Sequence, residues 1–289
     1  MAIPKISVSF SGCGFLGLYH VGALACFNDY KHKVHIEHAL GASAGALVAL
    51  AAIVDIPTEI LKKRFTQIVK DANSLPFGAF NPKFNVTKLF QDELGAQLPE
   101  DAHERVSARL TVSLTDLSMQ NKLVSNFETR KDLIDAVICS CYLPAFSGYE
   151  IPNYKNQSFL DGGFTNNQPT LSDKTLRVSP FASRSHICPV DEPAAYANII
   201  STSRIGPEEV EVSTMNVKRL LKTFLPAEDL EILYQEGYDN TKAYLESASI
   251  KNHFISNSVK SEDDRANGSS CPQNNGTAPN SHSSSTPSS

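Results

Sequence analysis

The chain has 289 residues, 41% hydrophobic and 20% charged, with a formal net charge of −5. That composition is globular and long enough for one large domain or two small ones. It carries no strong basic field, so nucleic acid is not expected as a partner.

Residues 1–10 lack a basic segment followed by an apolar core, so no signal peptide is expected. The sequons at Asn85, Asn156, Asn267 and Asn275 then read as chance matches. Residues 6–10 alternate as a strand and end in the glycine-rich stretch 11–17. A helix is expected over 18–30, an extended segment over 34–40, and a helix over 46–54 that is apolar all round and so buried. Strand, turn, helix, repeated twice, opens a mostly parallel α/β sheet. Residues 39–54 are too short and too interrupted by Gly and Ser to span a bilayer.

Residues 58–72 read as an amphipathic surface helix. Residues 74–85, with Pro76, Gly78, Pro82 and three Phe, read as a loop whose aromatic rings are buried anchors. Strands are expected at 110–115, 122–127, 158–160, 175–179 and 197–201, and helices at 131–141, 210–224 and 227–247. From about Asn257 the composition turns to Ser, Asn, Pro, Gly and Thr. Such a segment has too little apolar surface to offset the entropy of ordering. The expected organisation is a folded domain over 1–250 and a disordered tail over 251–289.

The six cysteines (Cys13, Cys26, Cys139, Cys141, Cys188, Cys271) are too sparse for a disulfide-stapled scaffold. No second close pair or well-placed His completes a zinc site, so reduced thiols and no metal are expected.

Gly41-Ala-Ser-Ala-Gly45 is a G-x-S-x-G elbow between an extended segment and an apolar helix. Only small residues fit beside the serine in so tight a turn, which exposes the Ser43 hydroxyl at a helix N-terminus. Gly12-Cys-Gly-Phe-Leu-Gly17 also matches the dinucleotide fingerprint, but the acidic ribose partner is missing where Gly41 stands. Beside a serine elbow, the loop is better read as presenting N–H groups to a developing oxyanion. No histidine after the elbow sits in a triad context. His186 is the best placed, with surface solvation expected, and His20 is expected to be a partly buried structural residue. Asp161-Gly-Gly163 ends a short strand, with Asn167-Gln-Pro169 following; taken alone it reads better as a hairpin turn than as a catalytic carboxylate.

These three motifs, in this order and spacing, resemble the patatin-like phospholipase family. The stretches 11–22, 98–103, 178–181 and 187–189 are similar to its adipose triglyceride lipase/adiponutrin branch, and the similarity runs from about residue 5 to about 249. The resemblance implies a patatin-like three-layer α/β sandwich, with helices on both faces of a mostly parallel sheet. It also implies a Ser–Asp dyad without histidine: Ser43 as nucleophile, Asp161 as base, and Gly12, Cys13 and Gly14 as oxyanion hole. Gly17, Gly41, Gly45, Gly162, Gly163 and Asn167 support the motifs.

An apolar acyl pocket, walled by Phe15, Leu16, Leu47 and 143–146, would desolvate the aspartate and raise its pKa. The expected activity is triacylglycerol-type lipid ester hydrolysis without a cofactor. Phospholipid or retinyl-ester hydrolysis, acyl transfer, and a non-catalytic droplet regulator are the alternatives. Expected partners are neutral lipid or phospholipid, a lipid-droplet or membrane surface, and an α/β-hydrolase-type coactivator. The expected location is cytoplasmic and peripheral on those surfaces. The Ser/Asn/Pro tail lacks the apolar segment associated with droplet targeting in that branch.

Overall fold

The computed structural model describes residues 3–144, 146–148, 150–191, 204–205, 210–211, 213–224 and 229–247. Strand β1 (Lys5–Phe10) runs into the glycine loop and helix α1 (Gly17–Asp29). Strand β2 (His35–Gly41) runs into the serine elbow and helix α2 (Ala44–Val54). Both helices are almost wholly buried, as their lack of a polar face requires. Helix α3 (Thr58–Asn73) keeps only Phe65, Val69 and Ala72 inside.

Two helices lie in a stretch for which the sequence suggested no element, α4 (Val86–Gln97) and α5 (Ala102–Val106). The start of α4 is set by Asn85, whose Oδ1 accepts the Lys88 N–H at 2.9 Å as an N-cap. Strands β3 (Leu110–Asp116) and β4 (Asn121–Val124) follow, β4 ending three residues short of expectation. Helix α6 (Arg130–Ser140) is capped by Thr129, which accepts the Asp132 N–H at 3.0 Å. Strands β5 (Asn153–Tyr154), β6 (Gln157–Asp161) and β7 (Leu176–Val178) complete the main sheet. Strands β8 (Arg204–Ile205) and β9 (Val210–Glu211) pair separately, so helix α7 (Thr214–Phe224) begins later than residue 210. Helix α8 (Leu230–Glu246) is the last described element. The expected strand at 197–201 and the tail at 251–289 lie outside the described residues.

The sheet runs β5-β6-β3-β2-β1-β7, with β4 also pairing β3. The β7-β1-β2-β3 core is parallel, while β4, β5 and β6 join antiparallel. The fold is thus the expected α/β architecture, with helices on both sides of a mostly parallel sheet. Val8, Phe10, Leu40, Leu50, Leu110 and Leu114 are fully buried at its centre. Each side chain of this kind contributes about 1.5–3 kcal/mol on burial. Register pairs Phe10 with both Gly41 and Val178. The glycine loop and the elbow therefore emerge side by side at the carboxyl ends of adjacent parallel strands, where open α/β sheets place their ligands. Among the described residues no helix is long and apolar enough to cross a membrane.

Candidate active site

Ser43 stands between β2 and α2 with φ 54° and ψ −131°. A non-glycine residue in such a conformation costs of order 1–3 kcal/mol and persists only when its surroundings fix it. Two features do so. A Cβ at Gly41 would overlap the Gly45 backbone, and one at Gly45 would overlap the Phe10 carbonyl, so the turn closes only with glycine on both sides. In addition, the Ser43 N–H donates to Ser140 Oγ at 2.9 Å, and that hydroxyl donates to the Ser113 carbonyl at 2.8 Å.

Asp161 ends β6, in register with Leu114 of β3. Its N–H donates to the Tyr142 carbonyl and its carbonyl accepts Thr115 Oγ1–H, both at 2.8 Å. The side chain is 2% exposed. Oδ1 accepts the Gly163 N–H at 2.7 Å, while Oδ2 has no hydrogen-bond partner among the described residues. Burial pushes the carboxyl up from 3.8 to about 6, against the opposing pull of the Ser43 hydroxyl and the Gly163 N–H. Ser43 and Asp161 line the same cavity.

The glycine loop faces this pair, with the Gly12 Cα beside the Ser43 Cβ. One expectation needs correction here. The Gly12 N–H already donates to the Asn167 carbonyl at 3.1 Å, and Asn167 Nδ2 donates back to the Gly12 carbonyl at 3.2 Å. Gly12 is therefore a brace and not an oxyanion donor. The Cys13 and Gly14 N–H groups meet no acceptor among the described residues, leaving two free donors beside the serine. Gly14 has φ +52°, and a Cβ there would strike the Thr223 carbonyl. Burial and the nearby Asp161 charge push the Cys13 thiol far up, so it stays protonated. Gly17 packs under the Phe65 ring, and Gly162 lies against the Ser113 carbonyl.

No histidine lines the site among the described residues. His20 is fully buried, with Nε2 2.8 Å from the Ser11 carbonyl, and burial lowers its pKa to about 4. It is a neutral structural prop behind the loop, buried more deeply than expected. His186 is not simply solvated: it is half-buried, its Nδ1 accepts the Arg177 N–H at 3.1 Å, and its ring meets Tyr244 edge-on.

Ser43, Cys13 and Asp161 open into a cavity of about 430 Å³. Its apolar wall includes Leu143, Phe146, Phe164, Phe181, Leu220 and Phe224. Of the wall expected from sequence, Leu143 and Phe146 are present. Phe15 instead packs with Val69 and Phe84, Leu16 packs with Cys13 and Ala44, and Leu47 lines a separate small cavity. The part supplied by α7 had no sequence signal. Of the three Phe in the 74–85 loop only Phe84 is buried; Phe77 and Phe80 are exposed, which corrects the expectation of three buried anchors.

Ser140 was not singled out from the sequence, since a serine at a helix end has no distinguishing signature. Its hydroxyl is the only acceptor described for the N–H of the strained elbow residue. Ser140→Ala should lower kcat about 10–100-fold with KM changed less than twofold, since a lost buried acceptor costs about 1–3 kcal/mol. Steady-state kinetics would show this, and the midpoint of the pH–rate profile should not move, because Asp161 is untouched.

Over residues 8–173, which include Ser43 and Asp161, the chain matches the family model described as patatin-like phospholipase. It is 35% identical to human 1-acylglycerol-3-phosphate O-acyltransferase PNPLA3, over 85% of this chain and 52% of that protein. It is 33% identical to human patatin-like phospholipase domain-containing protein 2, over 85% of this chain and 49% of the relative. With human patatin-like phospholipase domain-containing protein 4 the identity is 34%, over 84% of this chain and 97% of that one. The chain therefore spans about half the length of the first two relatives and nearly all of the third.

Proposed function

Because the chain belongs to the patatin-like phospholipase family, we propose that it is a lipid acyl hydrolase working through a Ser43–Asp161 dyad, with neutral glycerolipid as substrate. The observation that carries this reading is a buried carboxylate with one oxygen unpartnered among the described residues, sharing an apolar pocket with a strained, half-buried serine.

In the proposed reaction Ser43 Oγ attacks the ester carbonyl while its proton passes to Asp161 Oδ2. The tetrahedral oxyanion is met by the Cys13 and Gly14 N–H groups, worth about 3–4 kcal/mol per donor in comparable sites. Collapse breaks the acyl–alkoxy bond, and Asp161 returns its proton to the leaving alcohol. A water molecule, deprotonated by Asp161, then attacks the acyl-serine, and Ser43 Oγ leaves with that proton. An alcohol in place of water would give acyl transfer from the same intermediate. The similarity to a relative named as an O-acyltransferase keeps that acceptor in view.

A neutral substrate is supported by the charge of the pocket. Its ionisable carboxylates are Asp161 and Glu211, and no lysine or arginine lines it among the described residues, so a phosphate head group finds no counter-charge.

The test is to present triacylglycerol, phosphatidylcholine and retinyl ester together and identify products by mass spectrometry. Fatty acid should come mainly from triacylglycerol and should disappear with Ser43→Ala. Release from all three lipids by Ser43→Ala protein would refute the reading. Since the reaction needs the carboxylate, kcat/KM should fall about tenfold per pH unit below pH 6 and level off above about pH 7. A flat profile between pH 5 and 7 would exclude Asp161 as the titrating base.

A further inference from the structure

Helix α7 is amphipathic, yet it is mounted the wrong way round for a helix covering a core. Asn216, Arg219 and Thr223 form the face that packs inward. The Asn216 side chain exchanges hydrogen bonds with both the N–H and the carbonyl of Ala182, at 3.0 and 2.8 Å, and reaches the Glu211 carbonyl at 2.7 Å. Arg219 Nη1 lies 2.7 Å from Asp191 Oδ1, whose Oδ2 also accepts from Ser213 Oγ. Thr223 is buried against Gly14 of the oxyanion loop. The outward side carries Val217, Leu220 and Leu221, exposed by 50%, 54% and 58%.

An ordinary surface helix shows water its polar residues and buries its apolar ones; α7 does the reverse. Its apolar face is continuous with the cavity, because Val217, Leu220 and Phe224 also line it. The apolar rim extends further, from Phe224 through Phe146 to the half-exposed Phe80, with ring centroids 5.8 and 5.4 Å apart. Lys218 and Lys222, one turn apart, run along the edge of this face. Lys218 is exposed and has no ion pair among the described residues, and Lys222 reaches Asp229 only at 3.5 Å.

We propose that the outward face of α7 is the docking surface for a phospholipid layer bearing anionic head groups, holding the pocket mouth against the lipid. Leu221 and its neighbours insert among the acyl chains, and Lys218 and Lys222 meet the phosphates at head-group level, the arrangement of an interfacial amphipathic helix. The buried polar network keeps the helix in place while its apolar side is spent on lipid. This inference rests on the pocket being the acyl site, but its test does not depend on catalysis.

The experiment measures partition of the full chain onto phosphatidylcholine vesicles with and without phosphatidylserine, beside hydrolysis of a water-soluble short-chain ester. Leu221 does not line the pocket, so Leu221→Glu should weaken partition at least about tenfold and leave soluble-ester turnover unchanged. Lys218→Gln should weaken it about fivefold on anionic vesicles and not on neutral ones. Leu171, 52% exposed in the loop before β7 and so at the opposite end of the parallel sheet, supplies the control: Leu171→Glu should bind as the unmodified chain does. Ser43→Ala protein should bind normally, which separates docking from the dyad. The proposal is overturned if the unmodified chain ignores vesicles, if Leu221→Glu binds as well as it does, or if Leu171→Glu loses as much. Should Leu221→Glu also lose soluble-ester turnover, the Lys218→Gln arm decides alone: equal loss on both vesicles, or none, overturns it.

Discussion

Replacing Asp161 with Asn should lower kcat/KM by about 10⁴–10⁶-fold and at the same time make the protein more stable. The loss follows from removing the group that, in the proposed reaction, takes the serine proton; no other carboxylate but Glu211 lines the pocket among the described residues. The gain follows from the pKa. Burial holds the folded carboxyl at about 6, above its ordinary value of 3.8, so the native state binds the proton more tightly than the unfolded chain. Stability contributed by the protonated form is therefore present below about pH 4 and is lost as pH rises through 6. At pH 7 a shift of this size costs about 2–3 kcal/mol. Asn avoids that cost, and its Oδ1 still accepts the Gly163 N–H now bonded at 2.7 Å. Thermal unfolding at pH 7 should show a Tm raised by roughly 5–10 °C, and the advantage should vanish near pH 4. A variant inactive but no more stable would mean that the buried carboxylate is not held at a cost.

The second large effect concerns the fold. Helices α1 and α8 cross at Gly22 and Gly237, where a Cβ would overlap the Tyr234 and Tyr19 carbonyls respectively. Helix propensity alone would make Gly237→Ala stabilising by about 1 kcal/mol. Here the methyl meets backbone, which cannot rotate aside, so the helices must separate. The hydrogen bonds from Asn240 to the Tyr19 hydroxyl at 2.9 Å and from Tyr238 to Asp29 at 2.8 Å are then strained. A net loss of about 2–3 kcal/mol is expected, read as a lower denaturation midpoint. Leu233 of α8 packs against the cluster of Cys13, Leu16 and Ala44 behind the glycine loop, so activity should fall with it. An unchanged or raised midpoint would show that the crossing is looser than the backbone contact implies.

What the sequence made legible is what chemistry forces into a few residue types. The elbow could be read because its turn excludes every side chain larger than Ala beside the serine, and the strand–turn–helix order followed from hydrophobic period. The partner of Asp161 could not be read from D-G-G alone, since a turn gives the same letters; resemblance supplied it. Contacts made only by folding were out of reach. Nothing local says that Asn167 takes the Gly12 amide, or that Ser140 holds the elbow from a distant helix. The helix at 214–224 was legible, though its start was set too early, at 210 where a strand lies; which face turns inward depends on partners such as Asp191 and Ala182. Helix α4 begins directly after a Phe- and Pro-rich loop, which masks its start; the N-cap Asn85 is its one local signal.

The most direct test of the dyad is active-site labelling with an organophosphonate, followed by peptide mass spectrometry across pH. One phosphonyl group per chain should appear on Ser43, faster as pH rises through about 6, and at least about a thousandfold more slowly in the Asp161→Asn protein. Labelling that falls on another residue, or proceeds equally fast without the Asp161 carboxylate, would contradict the account.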